Sequence, residues 1–225
     1  MHWGINLYFE ALALISSIFF FLQKRNKVIL YFIPFLFLTL TIEFIGSKYS
    51  QNSYYVKNIR YGMYNIFTTI EFLFYGYLFF KHFIKKRLKL IALIFLPVFT
   101  ALVIFNILFL QGFSKTFNTY TFLIGSFFIV IFCCFFFYES VLPEKIDDQL
   151  MRQPFFWISS GLLIYYLGSV IINALFDYLT SNDLRLEGIK IYTIINNSLI
   201  IVLYLSFCIS FFLCPNNKKI SLSQS

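Results

Sequence analysis

Charge is scarce in this chain: only 12% of its 225 residues are Asp, Glu, Lys or Arg, against 60% hydrophobic. A soluble domain carries about twice that share of charge, so a water-exposed surface is excluded and the bilayer is the solvent. Histidine is scarcer still. The only two, His2 and His82, fall at opposite ends of apolar runs, which excludes a shared histidine-based site. The four cysteines, Cys133, Cys134, Cys208 and Cys214, lie within or beside apolar runs without zinc-site or disulfide-framework spacing, so they read as packing residues. Missing too are an H-E-x-x-H helix, a G-x-S-x-G elbow, a P-loop and a glycine-rich dinucleotide fingerprint. The expectation is therefore no enzyme, no cofactor and no metal.

What is present is aromatic and apolar: 33 Phe and 16 Tyr, arranged in long runs between short basic loops. Seven runs are long enough to cross about 30 Å of hydrocarbon at about 1.5 Å per residue: 3–22, 28–46, 61–80, 90–110, 120–138, 155–176 and 191–213. The first is followed at once by "QKRNK" and has no basic segment before it, so it reads as a retained helix and not a cleaved signal. Pro34 and Pro97 fall inside spans, where kinks are expected; Pro154 opens the sixth and Pro215 closes the seventh. The fold class expected is all-α, a polytopic seven-helix membrane domain over residues 1–214 with a short polar tail at 215–225.

Alternate loops carry twelve and six Lys or Arg residues. Positive charge stays inside, which places the N-terminus outside, the C-terminus in the cytoplasm, and the chain in the cytoplasmic membrane. The net charge of +8 sits in those loops, where anionic lipid is the nearer partner; nucleic acid is not expected. "KHFIKKRLK" orients the chain and touches lipid, and the acidic "PEKIDDQ" reads as a solvated loop.

With this orientation the polar residues gather in the outer halves of the spans. Glu10 lies roughly 10 Å below the outer end of the first, and Glu71 is near the midplane of the third. Residues three, four or seven apart share a helix face. Tyr61, Tyr64, Thr68, Glu71 and Tyr75 form one stripe with Asn65 at its edge; others are Asn6, Glu10, Ala13 and Ser17, then Tyr165, Ser169, Asn173 and Asp177, then Tyr192 and Asn196 beside Asn197. A carboxylate facing lipid costs several kcal/mol, so the stripes are expected to face inward around an outer cavity. The candidate ligand-binding residues are Glu10, Glu71, Asn65, Tyr64, Thr68, Asn173, Asp177, Asn196 and Asn197. Glu43 reads as solvated or ion-paired near the interface, and Asn106 as an interhelical hydrogen-bonding residue. Ser160, Gly161, Gly168 and Ser169 allow close helix approach, as a packing face within the bundle or, second, a homodimer seam.

Two segments, "YNIFTTIEFLFYGYLFF" and "PFFWISSGLLIYYLGS", resemble those of a loosely defined set of uncharacterised bacterial seven-helix membrane proteins, similar to heptahelical sensor regions ahead of histidine kinases. The resemblance marks Asn65, Glu71, Trp157, Gly161, Tyr165 and Gly168 without giving them roles. It implies a sensor-type protein that recognises a small molecule or lipid, has no attached output domain, and works through a separate signalling partner. A small transporter or proton-coupled permease using the same residues is the alternative, and a structural subunit the third.

Overall fold

The computed structural model describes residues 4–48, 54–141, 150–175 and 185–215, and all regular structure among them is helical. Seven long helices follow in order: α1 (Ile5–Lys24), α2 (Lys27–Lys48), α3 (Tyr54–His82), α4 (Lys86–Phe105), α5 (Thr119–Val141), α6 (Pro154–Ala174) and α7 (Arg185–Leu213). A π-helical turn, Asn106–Leu110, extends α4, and a short 3-10 turn, Leu150–Arg152, precedes α6. Six helices are long and apolar enough to cross a membrane. The exception is α3: its 29 residues include Lys57, Asn58, Arg60, Asn65 and Glu71, which dilute its apolar character. It also begins earlier than the 61–80 expected from hydropathy, because backbone hydrogen bonds continue through the polar N-terminal turns.

The chain forms two compact units, residues 1–36 with 147–225, and residues 37–146. In the first, α6 and α7 pair most extensively and α1 packs on α7. Glycine sets the α6–α7 approach: a Cβ on Gly161 would stand 2.7 Å from Ser206 Cβ, and one on Gly168 2.6 Å from a Leu199 methyl. The small-residue face of α6 is thus covered by α7 of the same chain. Phe32 from the first half of α2 meets Phe207 and Phe211 at ring-centroid distances of 5.0 and 5.3 Å.

The turn between α1 and α2 is tight for identifiable reasons. Arg25 adopts the left-handed conformation, φ 50°, and its N–H closes on the Phe21 carbonyl. Asn26 then caps α2, its Oδ1 accepting the Val28 N–H at 2.8 Å. The same turn is tied to the end of α7. Lys24 donates to the Phe212 carbonyl, and its ammonium lies 5.2 and 5.5 Å from the Phe20 and Phe212 ring centres. A cation there satisfies a terminal carbonyl and opposes the negative end of the helix dipole. As expected, Pro154 occupies the first turn of α6.

In the second unit α3, α4 and α5 pack around a ladder of rings. Phe95 stacks on Phe99 at 5.1 Å and meets Phe132 edge-on at 5.2 Å, while Phe72 contacts Phe99 at 5.5 Å. Gly125 makes room for Phe72, and Gly76 for Phe95. These rings are almost wholly buried, and they fix the α3–α4–α5 geometry that carries the polar groups described next.

Candidate functional site

In the first unit, α1 buries one face, Leu7, Glu10, Ala13 and Ser17. Glu10 is therefore turned inward by the same spacing as its apolar neighbours, with 3% of its surface exposed. On α6, Asn173 donates to the Ser169 carbonyl at 2.7 Å, and its Oδ1 accepts the Tyr192 hydroxyl of α7 at 3.1 Å. Two of the expected stripes meet here. Asn196 and Asn197 are half-buried on α7. Asp177, the "PEKIDDQ" loop and the tail beyond Pro215 lie outside the described residues.

Four candidate residues share α3 in the second unit. Asn65 and Thr68 are buried at 1% and 5% exposure, while Tyr64 and Glu71 are half-buried. Tyr64 donates to Glu43 Oε2 at 3.2 Å, and Gly46 permits this by its lack of a Cβ, which would stand on the Tyr64 hydroxyl.

Asn65 is the anchor of the segment between the π-helical turn and α5. Its two amide protons go to the Phe113 and Thr116 carbonyls at 2.8 and 2.9 Å, and its Oδ1 accepts the Asn118 N–H at 2.8 Å. Both donors are thereby used on loop backbone, so the residue positions a loop. A second polar group holds the other end of α4. Ile84 and Lys85 lack helical acceptors for their N–H groups, and the Glu139 carboxylate on α5 takes both, at 3.2 and 2.7 Å. Lys85 also sets its ammonium 4.8 Å from the Tyr138 ring centre. Glu139 was not among the sequence candidates, because its partners are backbone N–H groups 54 and 55 positions away. At the same end, burial holds the His82 imidazole below its ordinary pKa of 6.5, partly opposed by its contact with the Leu78 carbonyl.

The π-helical turn shapes the remaining feature. A cavity of about 180 Å³ opens between α4 and α5. Its floor, Phe99, Val103, Asn106 and Thr121, is buried, and its rim includes the half-exposed Phe105, Leu110 and Tyr120.

These arrangements hold two acidic side chains, Glu10 and Glu71, on helices turned partly or wholly inward, in separate compact units. Comparison of the chain with protein-family models, with curated proteins and with solved structures finds no match.

Proposed function

We propose that the chain is a seven-span receptor-type protein of the cytoplasmic membrane, with its N-terminus outside and its C-terminus in the cytoplasm. In this reading α3 is the seventh span, and the protein recognises a small molecule through polar residues in the outer halves of its helices, acting by binding and not by catalysis. Occupancy is relayed inward to a separate partner. One observation carries the reading: Glu10, an acidic side chain, is buried at 3% exposure on a face of α1 that is otherwise Leu, Ala and Ser. Interhelical packing alone is met more cheaply by an amide, so a carboxyl retained there is the signature of a cation- or hydroxyl-recognising group.

The test uses the protein in lipid nanodiscs and a panel of small cations and polyols. A panel member should raise the unfolding temperature of the wild type, and Glu10→Gln or Glu71→Gln should lose that rise while remaining folded. Retention of the full response by both folded variants overturns the reading, and gradient-driven uptake in proteoliposomes would replace it with transport. A reporter fused to the C-terminus should be active only in the cytoplasm.

A further inference from the structure

An open groove of about 460 Å³ runs between the first half of α3 and the loop that Asn65 clamps. That size falls within the range of about 300–1,000 Å³ typical of ligand-binding pockets. Its walls are fixed by contacts within one compact unit. Gly112 turns the loop in the left-handed region, φ 75°, and the Asn65 amide holds the Phe113 carbonyl at 2.8 Å. The Phe113 ring thereby borders Gly62, where a Cβ would stand 3.3 Å from its Cε1.

The lining changes character along the helix. Asn58 and Ser114 supply its polar part, and Gly62, Met63, Ile66 and Phe113 its apolar part. Both polar residues are half-buried on the wall of the open groove, and neither side chain has a hydrogen-bond partner among the described residues. Asn58 lies one turn into α3, and Ile66 is about 12 Å further along the axis, at about 1.5 Å per residue. Hydrogen-bonding groups near the helix end, with an apolar trough beyond them, match an amphiphile standing along the bilayer normal. Charge selects among amphiphiles. Residues 44–70 and 106–118, which include both walls, hold Lys48, Lys57, Arg60 and Lys115 and no Asp or Glu. Lys57 and Arg60 lie against the Tyr61 ring, 5.6 and 5.9 Å from its centre. That leaves Lys115, exposed and next to Ser114 in the chain, to meet an anion at the groove.

We propose that this groove holds one anionic phospholipid drawn from the surrounding bilayer. An acyl chain lies along Gly62, Met63 and Ile66 against Phe113, ester carbonyls accept from the Asn58 amide and the Ser114 hydroxyl, and Lys115 meets the phosphate. The site rests on α3 lying in the bilayer, as in the reading above, and not on the carboxyl-lined stripes.

The probes are phosphatidylglycerol and phosphatidylcholine, each with a diazirine on one acyl chain, photolysed with the full chain in lipid nanodiscs and followed by mass-spectrometric mapping of the adducts. Ile70, exposed on α3 and outside the groove, is the reference for ordinary lipid contact. Phosphatidylglycerol should label Met63, Ile66 and Phe113 about fivefold more than phosphatidylcholine, the worth of one cation beside an anionic lipid, with no preference at Ile70. Lys115→Gln should remove that preference. Ile66→Trp, at an exposed position, should fill the trough and cut labelling of Met63 and Phe113 by both lipids. Equal labelling of the groove by the two lipids, or a preference that survives in folded Lys115→Gln, overturns the proposal while adducts at Ile70 leave α3 in the bilayer. Absence of adducts at Ile70 and in the groove alike overturns the placement of α3 in the bilayer, and this site with it.

Discussion

The Glu139 carboxylate at the end of α5 accepts the backbone N–H of Lys85, just before α4, at 2.7 Å, across 54 residues of sequence. It caps a helix from another helix. Because it also takes the Ile84 N–H, Glu139→Ala leaves two donors of the α3–α4 turn to find new partners. The expected cost is about 2 kcal/mol, most of it the penalty for the abandoned N–H groups. Thermal unfolding in detergent micelles checks the loss, and amide exchange at Ile84 and Lys85 should accelerate selectively.

Asn65→Leu removes three hydrogen bonds to the loop before α5 at nearly constant volume. It should destabilise the protein by about 3 kcal/mol, at roughly 1 kcal/mol per bond. Cleavage by trypsin at Lys115, an exposed residue of the clamped loop, should quicken. Asn65→Asp keeps the acceptor for Asn118 but loses both donors, and should fall at least as far. An unchanged cleavage rate in either variant would refute the clamp.

Gly161→Ala and Gly168→Ala separate by what each new methyl meets. At Gly161 the obstacle is the Cβ of Ser206, fixed to the backbone of α7, whereas at Gly168 it is the mobile end of Leu199. Gly161→Ala should therefore cost about 1–3 kcal/mol through forced separation of α6 and α7. Gly168→Ala should cost less, by rotation of Leu199. Equal unfolding temperatures for the two would contradict the seam geometry.

His82 gives a pH dependence with a definite sign. Its folded pKa lies below the ordinary 6.5, so the unfolded chain takes up the proton first as pH falls. Its contribution to stability is full above about 6.5 and declines as pH drops through the folded value. Unfolding temperatures measured between pH 8 and pH 5 should fall more steeply for the wild type than for His82→Gln.

The helical spans are legible because long apolar runs leave little alternative in a bilayer, and Pro154 marks its helix start by removing an N–H that needs no partner there. The inward face of α1 is legible for a similar reason: a period of about 3.6 residues assigns Glu10, Ala13 and Ser17 to one side before any neighbour is known. Spacing says nothing across helices. The partners of Asn65 are loop carbonyls, which every residue type supplies equally, so nothing in the order of side chains distinguishes a loop clamp from a ligand contact. Glu139 escaped for the same reason, since its partners are N–H groups 54 and 55 positions away. Asn106 is visible as a polar residue near a helix end, but the π-helical turn that begins there has no compositional mark. The Asn173–Tyr192 bond joins two expected stripes because both residues sit near the facing ends of adjacent antiparallel helices.

The bond from Lys24 to the Phe212 carbonyl spans 188 residues. A ribosome adding roughly 5–20 residues per second makes the second partner about 10–40 seconds after the first. Residues 37–146 are contiguous and can assemble as they emerge, whereas α1 must persist in the bilayer until α7 is synthesised. During that interval Glu10 and Lys24 depend on lipid, water or the insertion machinery for company. Biogenesis of this protein therefore has a slow, obligatory waiting step for its first helix, set by the order of translation and not by the strength of any contact.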